Sequence, residues 1–243
     1  DSFAYNSDNK YQFNLGRAEK ILDEAGWKIK EITREDLKKA EEEKESVDKK
    51  IKNAAAGKLS VGSGKWRAKN DTFLVVKLTT VDTEDNSMTV AAVKEMWEKL
   101  GVKTEIELIA PAQIRNEVIK SRNFSALLYG EVMGADPDAY AFWHSSQAGE
   151  NGLNISDYAS KEVDRLLEEG RLALNIEERK EKYKKFQEII AEDAPAIFIY
   201  APLYNYVQSK KIKNFNVKII FAPHDRFSNI GEWYIKTKKR LSW

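Results

Sequence analysis

Phe73-Leu74-Val75-Val76-Lys77-Leu78-Thr79 is a short run of apolar and β-branched residues that reads as a buried strand. The residues beyond it decide the fold. Val90, Val93, Trp97 and Leu100 recur on one face of a helix, with Asn86 placed to cap its start and Gly101 to end it. Val102, Thr104, Ile106 and Leu108 alternate as a half-buried strand, and Pro111 opens a second helix carrying Ile114, Val118 and Ile119. Phe124 to Tyr129 completes a third strand. Strand–helix–strand–helix–strand in this span predicts right-handed crossovers, with Phe73–Thr79, Lys103–Ile109 and Phe124–Tyr129 as parallel neighbours covered by helices.

Upstream, Ala18, Ile21, Leu22 and Ala25 make an apolar helix face, with Gly26 as its C-terminal cap. Glu31 to Asn53 is densely charged, with acidic-then-basic pairs Glu35/Lys39, Glu45/Lys49 and Asp48/Lys52 four residues apart. It is expected to be an exposed, dispensable helix on a narrow seam of Leu37, Ala40, Val47, Ile51 and Ala54, ending in a turn-rich stretch around Ala54–Gly64. Downstream, helices are expected over Asp136–Ser145, Ser160–Leu174 and Ile176–Glu192. Asn175 and Glu178 stand at capping-box spacing, and Tyr183, Phe186 and Ile190 form the buried stripe. Ile197 to Val207 reads as a strand made irregular by Pro202, and the tail ends in a short strand at Trp233-Tyr234-Ile235.

Composition excludes several classes. The 243 residues carry 40 basic and 39 acidic side chains, a formal charge of +1, which gives no basic excess for neutralising nucleic-acid phosphates. No apolar run approaches the roughly 18–20 residues of a membrane span, and Asp1 to Lys10 is polar and unlike a signal peptide. The segment therefore reads as soluble. With no cysteine there is no disulfide or thiolate chemistry. His144 and His224 are eighty positions apart and lack metal-ligand spacing, so neither a metal nor a cofactor is expected. No GxSxG, P-loop or GxGxxG motif occurs.

The segment Tyr129-Gly130-Glu131-Val132-Met133-Gly134-Ala135-Asp136-Pro137-Asp138-Ala139-Tyr140-Ala141-Phe142-Trp143 comes directly after the third strand. In open parallel sheets ligands meet the loops beyond the carboxyl ends of the strands. The acidic and aromatic side chains here suit a polar organic ligand. Tyr129, Glu131, Met133 and Asp138 are the candidate contacts, with Trp143 nearby. Asp136 before Pro137 reads first as a helix N-cap.

Several stretches together resemble family 5 extracellular solute-binding proteins, the peptide- and nickel-type receptors of ABC importers. Tyr11-Gln12-Phe13-Asn14 with Ala18 to Trp27 is similar to the family's Y-x-Y-D-x-x-x-A-K-x-L-L-x-E-A-G-W. Ala91–Gly101, the Asp136-Pro137 loop and Tyr158 to Leu167 come in the family's order, and Arg179 to Tyr200 is similar to R-x-x-x-Y-x-x-x-Q-x-I-I-x-x-D-A-P-x-I-x-x-Y. The charged insert of about 31–65 is outside the pattern. The resemblance implies an α/β fold, a class II periplasmic-binding-protein-like lobe with a mostly parallel sheet flanked by helices. It also implies a binding lobe over 1–209 and a segment, 210–243, that returns to a second lobe absent from these residues.

Functionally, the resemblance implies a non-enzymatic receptor that binds an oligopeptide or similar small solute and delivers it to a membrane permease. It would be periplasmic or extracellular and membrane-anchored in the full-length protein, its two lobes closing on solute about a hinge. Peptide receptors of the family carry a tryptophan seven residues before the proline and, four before it, an aspartate that pairs with the peptide's amino group. Gly130 and Met133 occupy those positions here, and methionine makes no charge-assisted bond to an ammonium. The alternatives are a sensor or adaptor lobe without transport, and a hydrolase working through carboxylates such as Glu131 and Asp138.

Overall fold

The computed structural model describes residues 12–134, 136–202, 204–218, 220 and 222–236. Tyr11 and the polar Asp1–Lys10 stretch lie outside the described residues. The described chain divides into two compact units, one built from 12–130 with 149–151, the other from 131–148 with 152–236.

In the first unit α1 (Leu15–Glu24) starts at Asn14, whose side chain accepts the Arg17 amide at 2.9 Å. It ends at Gly26, whose φ of +86° lets the Trp27 amide reach back to the Leu22 carbonyl. The parallel core is as expected. β4 (Val75–Val81) lies between β5 (Lys103–Ile109) and β6 (Ala126–Leu128), parallel to both, in the order β5-β4-β6. α4 (Glu84–Lys99) connects β4 to β5. Its cap is Thr83, whose hydroxyl accepts the Asn86 amide, and not Asn86 itself. The expected helix after Pro111 is a six-residue turn, Ile114–Ile119, with Ile114 and Val118 buried. It is widely wound: the Lys120 amide bonds the Arg115 carbonyl, five residues back.

The charged region departs from expectation. Lys28–Ile32 is a strand, β1, and two helices, α2 (Arg34–Glu43) and α3 (Lys49–Val61), replace the single one. They break at 44–48, where the expected seam residue Val47 is fully exposed. Asp48 caps α3, which runs through the supposed turn-rich stretch to Val61. The chain returns as β2 (Gly64–Lys69), antiparallel to β1, and turns at Asn70-Asp71 into β3 (Thr72–Phe73). Both turn residues have positive φ, 49° and 64°, the signature of a type I′ hairpin. Ile32, Val61, Ala68 and Phe73 form a satellite core with Leu37 and Trp66 against it. The insert therefore packs against Phe73, which ties it to the strand that leads into the parallel core. The single strand expected over Phe73–Thr79 is two: Leu74 donates to the Arg67 carbonyl on one sheet and accepts from Lys103 on the other.

The second unit is built on the antiparallel pair α6 (Lys161–Leu172) and α7 (Ile176–Asp193). Asn175 caps α7 by accepting the Glu177 and Glu178 amides. Val163, Leu166 and Leu167 meet Tyr183, Phe186 and Ile190, with Ala139 and Trp143 completing the core. Helix α5 is only Tyr140–Trp143, shorter than the expected Asp136–Ser145, because Asp136 is engaged elsewhere. Ile197–Val207 forms no strand among the described residues. Its apolar side chains are largely exposed, Ile197 by 73% and Val207 by 91%, so an apolar pattern has no ladder to join. The terminal strand β8 (Tyr234–Ile235) pairs antiparallel with β7 (Ile212–Lys213).

Candidate functional site

The carboxyl end of the parallel sheet is set by threonines. Thr79 and Thr80 are fully buried. The Thr80 hydroxyl donates to the Leu128 carbonyl at 2.9 Å, and Thr79 to Glu107. These bonds satisfy the polar groups that lie between strands and fix where β6 ends. Tyr129, the next residue, is 42% exposed. The Asp82 amide bonds the Ile109 carbonyl at 2.8 Å, closing the tip of β4 onto β5.

In the second unit the loop from Glu131 leads to α5. Glu131, Val132 and Met133 are all exposed. Loss of water around its carboxyl nevertheless pushes Glu131 up to about 7, so near neutrality the group exists in both protonation states. A carboxyl in that condition can either accept from or donate to a polar ligand group.

The two aspartates are held differently. Asp136 accepts a two-pronged pair from Arg179, at 2.9 and 2.6 Å, and the amide of Asp138 at 3.0 Å. It does not cap a helix: α5 begins only at Tyr140, and the Asp136 carboxylate is committed to the two-pronged pair with Arg179 of α7, which adds fixed geometry as well as charge. The Arg179 guanidinium beside it holds the Asp136 carboxyl below the usual carboxylate range. Asp138 accepts from Arg171 Nε at 2.7 Å and from the Tyr140 amide at 3.0 Å. Arg171 in turn lies over the Tyr140 ring, 4.2 Å from its centroid.

Since the Asp136 pKa is lowered on folding, its contribution to stability is present above the unfolded value, 3.8, and is lost as pH falls through the lower folded value. Acid titration is therefore expected to weaken the loop's anchoring only below pH 3.8. An Asp136→Asn chain should lack that part of the acid transition when unfolding is followed against pH.

Trp143 is 8% exposed and packs edge-on to Tyr158 and tilted against Phe186, at ring separations of 6.3 and 6.4 Å. Its indole belongs to the core of this unit. His144, also buried, accepts the Ser146 amide at Nδ1 (3.1 Å) and places Nε2 3.3 Å from Glu168. Asn154 is fully enclosed and bridges the His144 and Tyr158 carbonyls through its amide group. These groups stiffen the turn after α5.

Sequence reasoning missed Arg171 and Arg179 as partners of the loop. The available signal was two arginines flanking the α6–α7 turn, downstream of two aspartates otherwise unpaired in the sequence. It missed Arg67 as well. That buried side chain of the first unit bonds the Leu100 and Trp27 carbonyls and Asp23 at 2.6, 2.6 and 2.7 Å. A cleft of about 430 Å³ beside it is lined by Glu19, Asp23, Lys28 and Lys99 among others, mixed charges that select no one ligand class. Among the described residues no three metal-ligating side chains converge, and no helix is long and apolar enough to cross a membrane.

Comparison with known proteins agrees with this architecture. The oligopeptide-binding protein AppA of Bacillus subtilis is 23% identical over 230 residues, which are 93% of this chain and 35% of AppA. The structure of AppA with a nonapeptide superposes with a TM-score of 0.64 at 21% identity, covering 97% of this chain and 41% of that one. NikZ of Campylobacter jejuni, solved with Ni(L-His), gives 0.63 at 19% identity, covering 95% and 41%. The chain thus spans about a third of the length of this curated relative, and the fold is that of the periplasmic binding proteins. Residues 1–153 match the family model for "Bacterial extracellular solute-binding proteins, family 5 Middle". The chain belongs to family 5 of the bacterial extracellular solute-binding proteins.

Proposed function

We infer that the chain is a solute-binding portion of an ABC importer's receptor, taking an oligopeptide or similarly sized polar solute and passing it unchanged to a membrane permease. The observation that carries the reading is the exposed Glu131–Met133 loop following a parallel strand, in a chain of this family. AppA was solved with a nonapeptide and NikZ with a nickel–histidine complex, so a peptide-like or chelated polar solute is the class to test.

Within the loop region Tyr129, Glu131 and Met133 supply an aromatic face, a titrating carboxyl and a polarisable apolar surface toward the solute. Asp138 and Trp143 contribute from the protein side, the first through Arg171 and the second through the core. Binding without catalysis is supported by the engagement of both loop aspartates with arginines, which leaves no pair of carboxyls poised as acid and base. Residues 1–209 serve as the binding lobe and 210–243 return toward a second lobe lying outside this sequence. The receptor works outside the cytoplasmic membrane, anchored to it in its full length.

Calorimetric titration of this chain with a peptide library is the test, followed by mass spectrometry of the recovered peptides. Weak, saturable binding and intact peptides are expected. Cleaved peptides would replace the receptor reading with the hydrolase one.

A further inference from the structure

The loop that the function rests on is held by two arginines, one from each helix of the α6–α7 pair. Arg179 grips both oxygens of Asp136 through its two amino groups, while its Nε donates to the Gly170 carbonyl at 3.1 Å and Nη2, already on Asp136, also donates to the Tyr183 hydroxyl. Arg171 grips Asp138 and covers Tyr140. Asp136 and Asp138 are also tied to the backbone, each accepting the amide two residues on, so a pull on either carboxylate is a pull on the chain between 136 and 140.

We propose that Arg171 and Arg179 are positioning residues of the solute loop: they fix its backbone and withhold both aspartates from the solute, leaving Glu131 to meet a cationic solute group. Three features carry this. The Asp136 side chain is 59% exposed and Arg179 only 18%, so the anchored end is the arginine and the loop is what moves when the pair breaks. Glu131 stands in the same loop with no basic side chain of the described residues holding it. Asp138, the other acidic candidate, already has one oxygen on Arg171 and the other on the Tyr140 amide.

The solute clause rests on the reading that this loop faces solute, and the test separates the two. Hydrogen exchange of the 131–140 amides is followed in the whole chain and in Asp136→Asn, Asp138→Asn and Arg179→Lys. Asp136→Asn leaves the bonds of Arg179 to Gly170 and Tyr183 intact, so a folding defect does not confuse its result. Faster exchange over 131–140, with unchanged exchange over 183–190, is expected in each variant. Unchanged loop exchange in both asparagine variants would overturn the clamp.

Tetra-alanine and N-acetyl-tetra-alanine then serve as probes, with binding followed by NMR line positions. The free-amine peptide is expected to bind better, the preference vanishing in Glu131→Gln. Asp138→Asn should weaken both peptides together by about fivefold, the scale of one exposed ion pair. Loss of the amine preference in Asp138→Asn but not in Glu131→Gln would overturn the assignment of Glu131. Binding of neither peptide to the unaltered chain would count against the solute-site reading and the Glu131 clause with it, while the exchange result would still decide the clamp.

Discussion

Trp143→Ala should unfold the α5–α7 unit at a markedly lower urea concentration than the parent chain. The indole is 8% exposed and meets Tyr158, Phe186 and Phe198 at ring separations of 6.3, 6.4 and 5.9 Å. Truncating a buried tryptophan to alanine costs about 3–5 kcal/mol through lost burial and the cavity left behind. That is a large share of the roughly 5–15 kcal/mol that holds a domain together. The measurement is the urea midpoint followed by far-ultraviolet circular dichroism. A chain whose midpoint is unmoved would show that Trp143 carries no packing load and is free to serve a ligand directly.

Arg67→Met is expected to have the next largest effect, about 2–4 kcal/mol. The guanidinium is 3% exposed and donates to two carbonyls and one carboxylate, joining the end of α1, strand β2 and the end of α4. Hydrogen bonds from charged donors contribute about 1.5–3 kcal/mol each, and removing this one leaves the Leu100 and Trp27 carbonyls without their partner. Methionine preserves much of the apolar stem, so the loss reports the head group. Gly101 makes the junction still less forgiving. Its φ is +80°, its carbonyl accepts the Arg67 amide at 2.7 Å, and a Cβ there would stand 2.7 Å from Ile29 Cδ1. A second readout accompanies the first. Arg67 holds the Asp23 carboxyl below its ordinary range, so in the variant that carboxyl should titrate higher by NMR.

The parallel core was legible because local patterns and global topology agree there. Alternating apolar runs, helical stripes and glycine stops between Phe73 and Tyr129 each point to the same arrangement. Strands β1 and β2 were hidden in charge: Lys28-Ile29-Lys30-Glu31-Ile32 does not alternate, its two isoleucines falling on opposite faces with only Ile32 buried, and its sheet is small. The readable clue was Asn70-Asp71 between Trp66-Arg67-Ala68-Lys69 and Thr72-Phe73-Leu74, a two-residue hairpin signal. The single-helix reading of Glu31–Asn53 missed the break between α2 and α3, and the buried Ala40 and Ala55 look no different in sequence from exposed alanines.

The candidate site was legible as a place and not as a set of bonds. Position after β6 and the acidic, aromatic composition located the loop. Asp136 before Pro137 satisfied every local rule for a helix start, and only a partner 43 residues away changes its role. Arg67 escaped for the same reason, since its partners at Asp23, Trp27 and Leu100 are brought together by three separate elements. Ile197–Val207 shows the opposite failure: the strand pattern is strong, but a strand needs a neighbour, and the described chain offers none.

The central claim is that this chain carries a solute-binding surface of a family 5 receptor, centred on the residues following β6. The most direct test is backbone NMR of the isotopically labelled chain titrated with a mixed tetrapeptide library. Saturable shifts at Tyr129, Glu131 and Met133 with a dissociation constant near millimolar are predicted, because under the proposed two-lobe reading this chain supplies one wall of the clamp and forgoes about 4 kcal/mol of a micromolar complex. Shifts confined to other elements, or binding tighter than about micromolar with these residues silent, would contradict it.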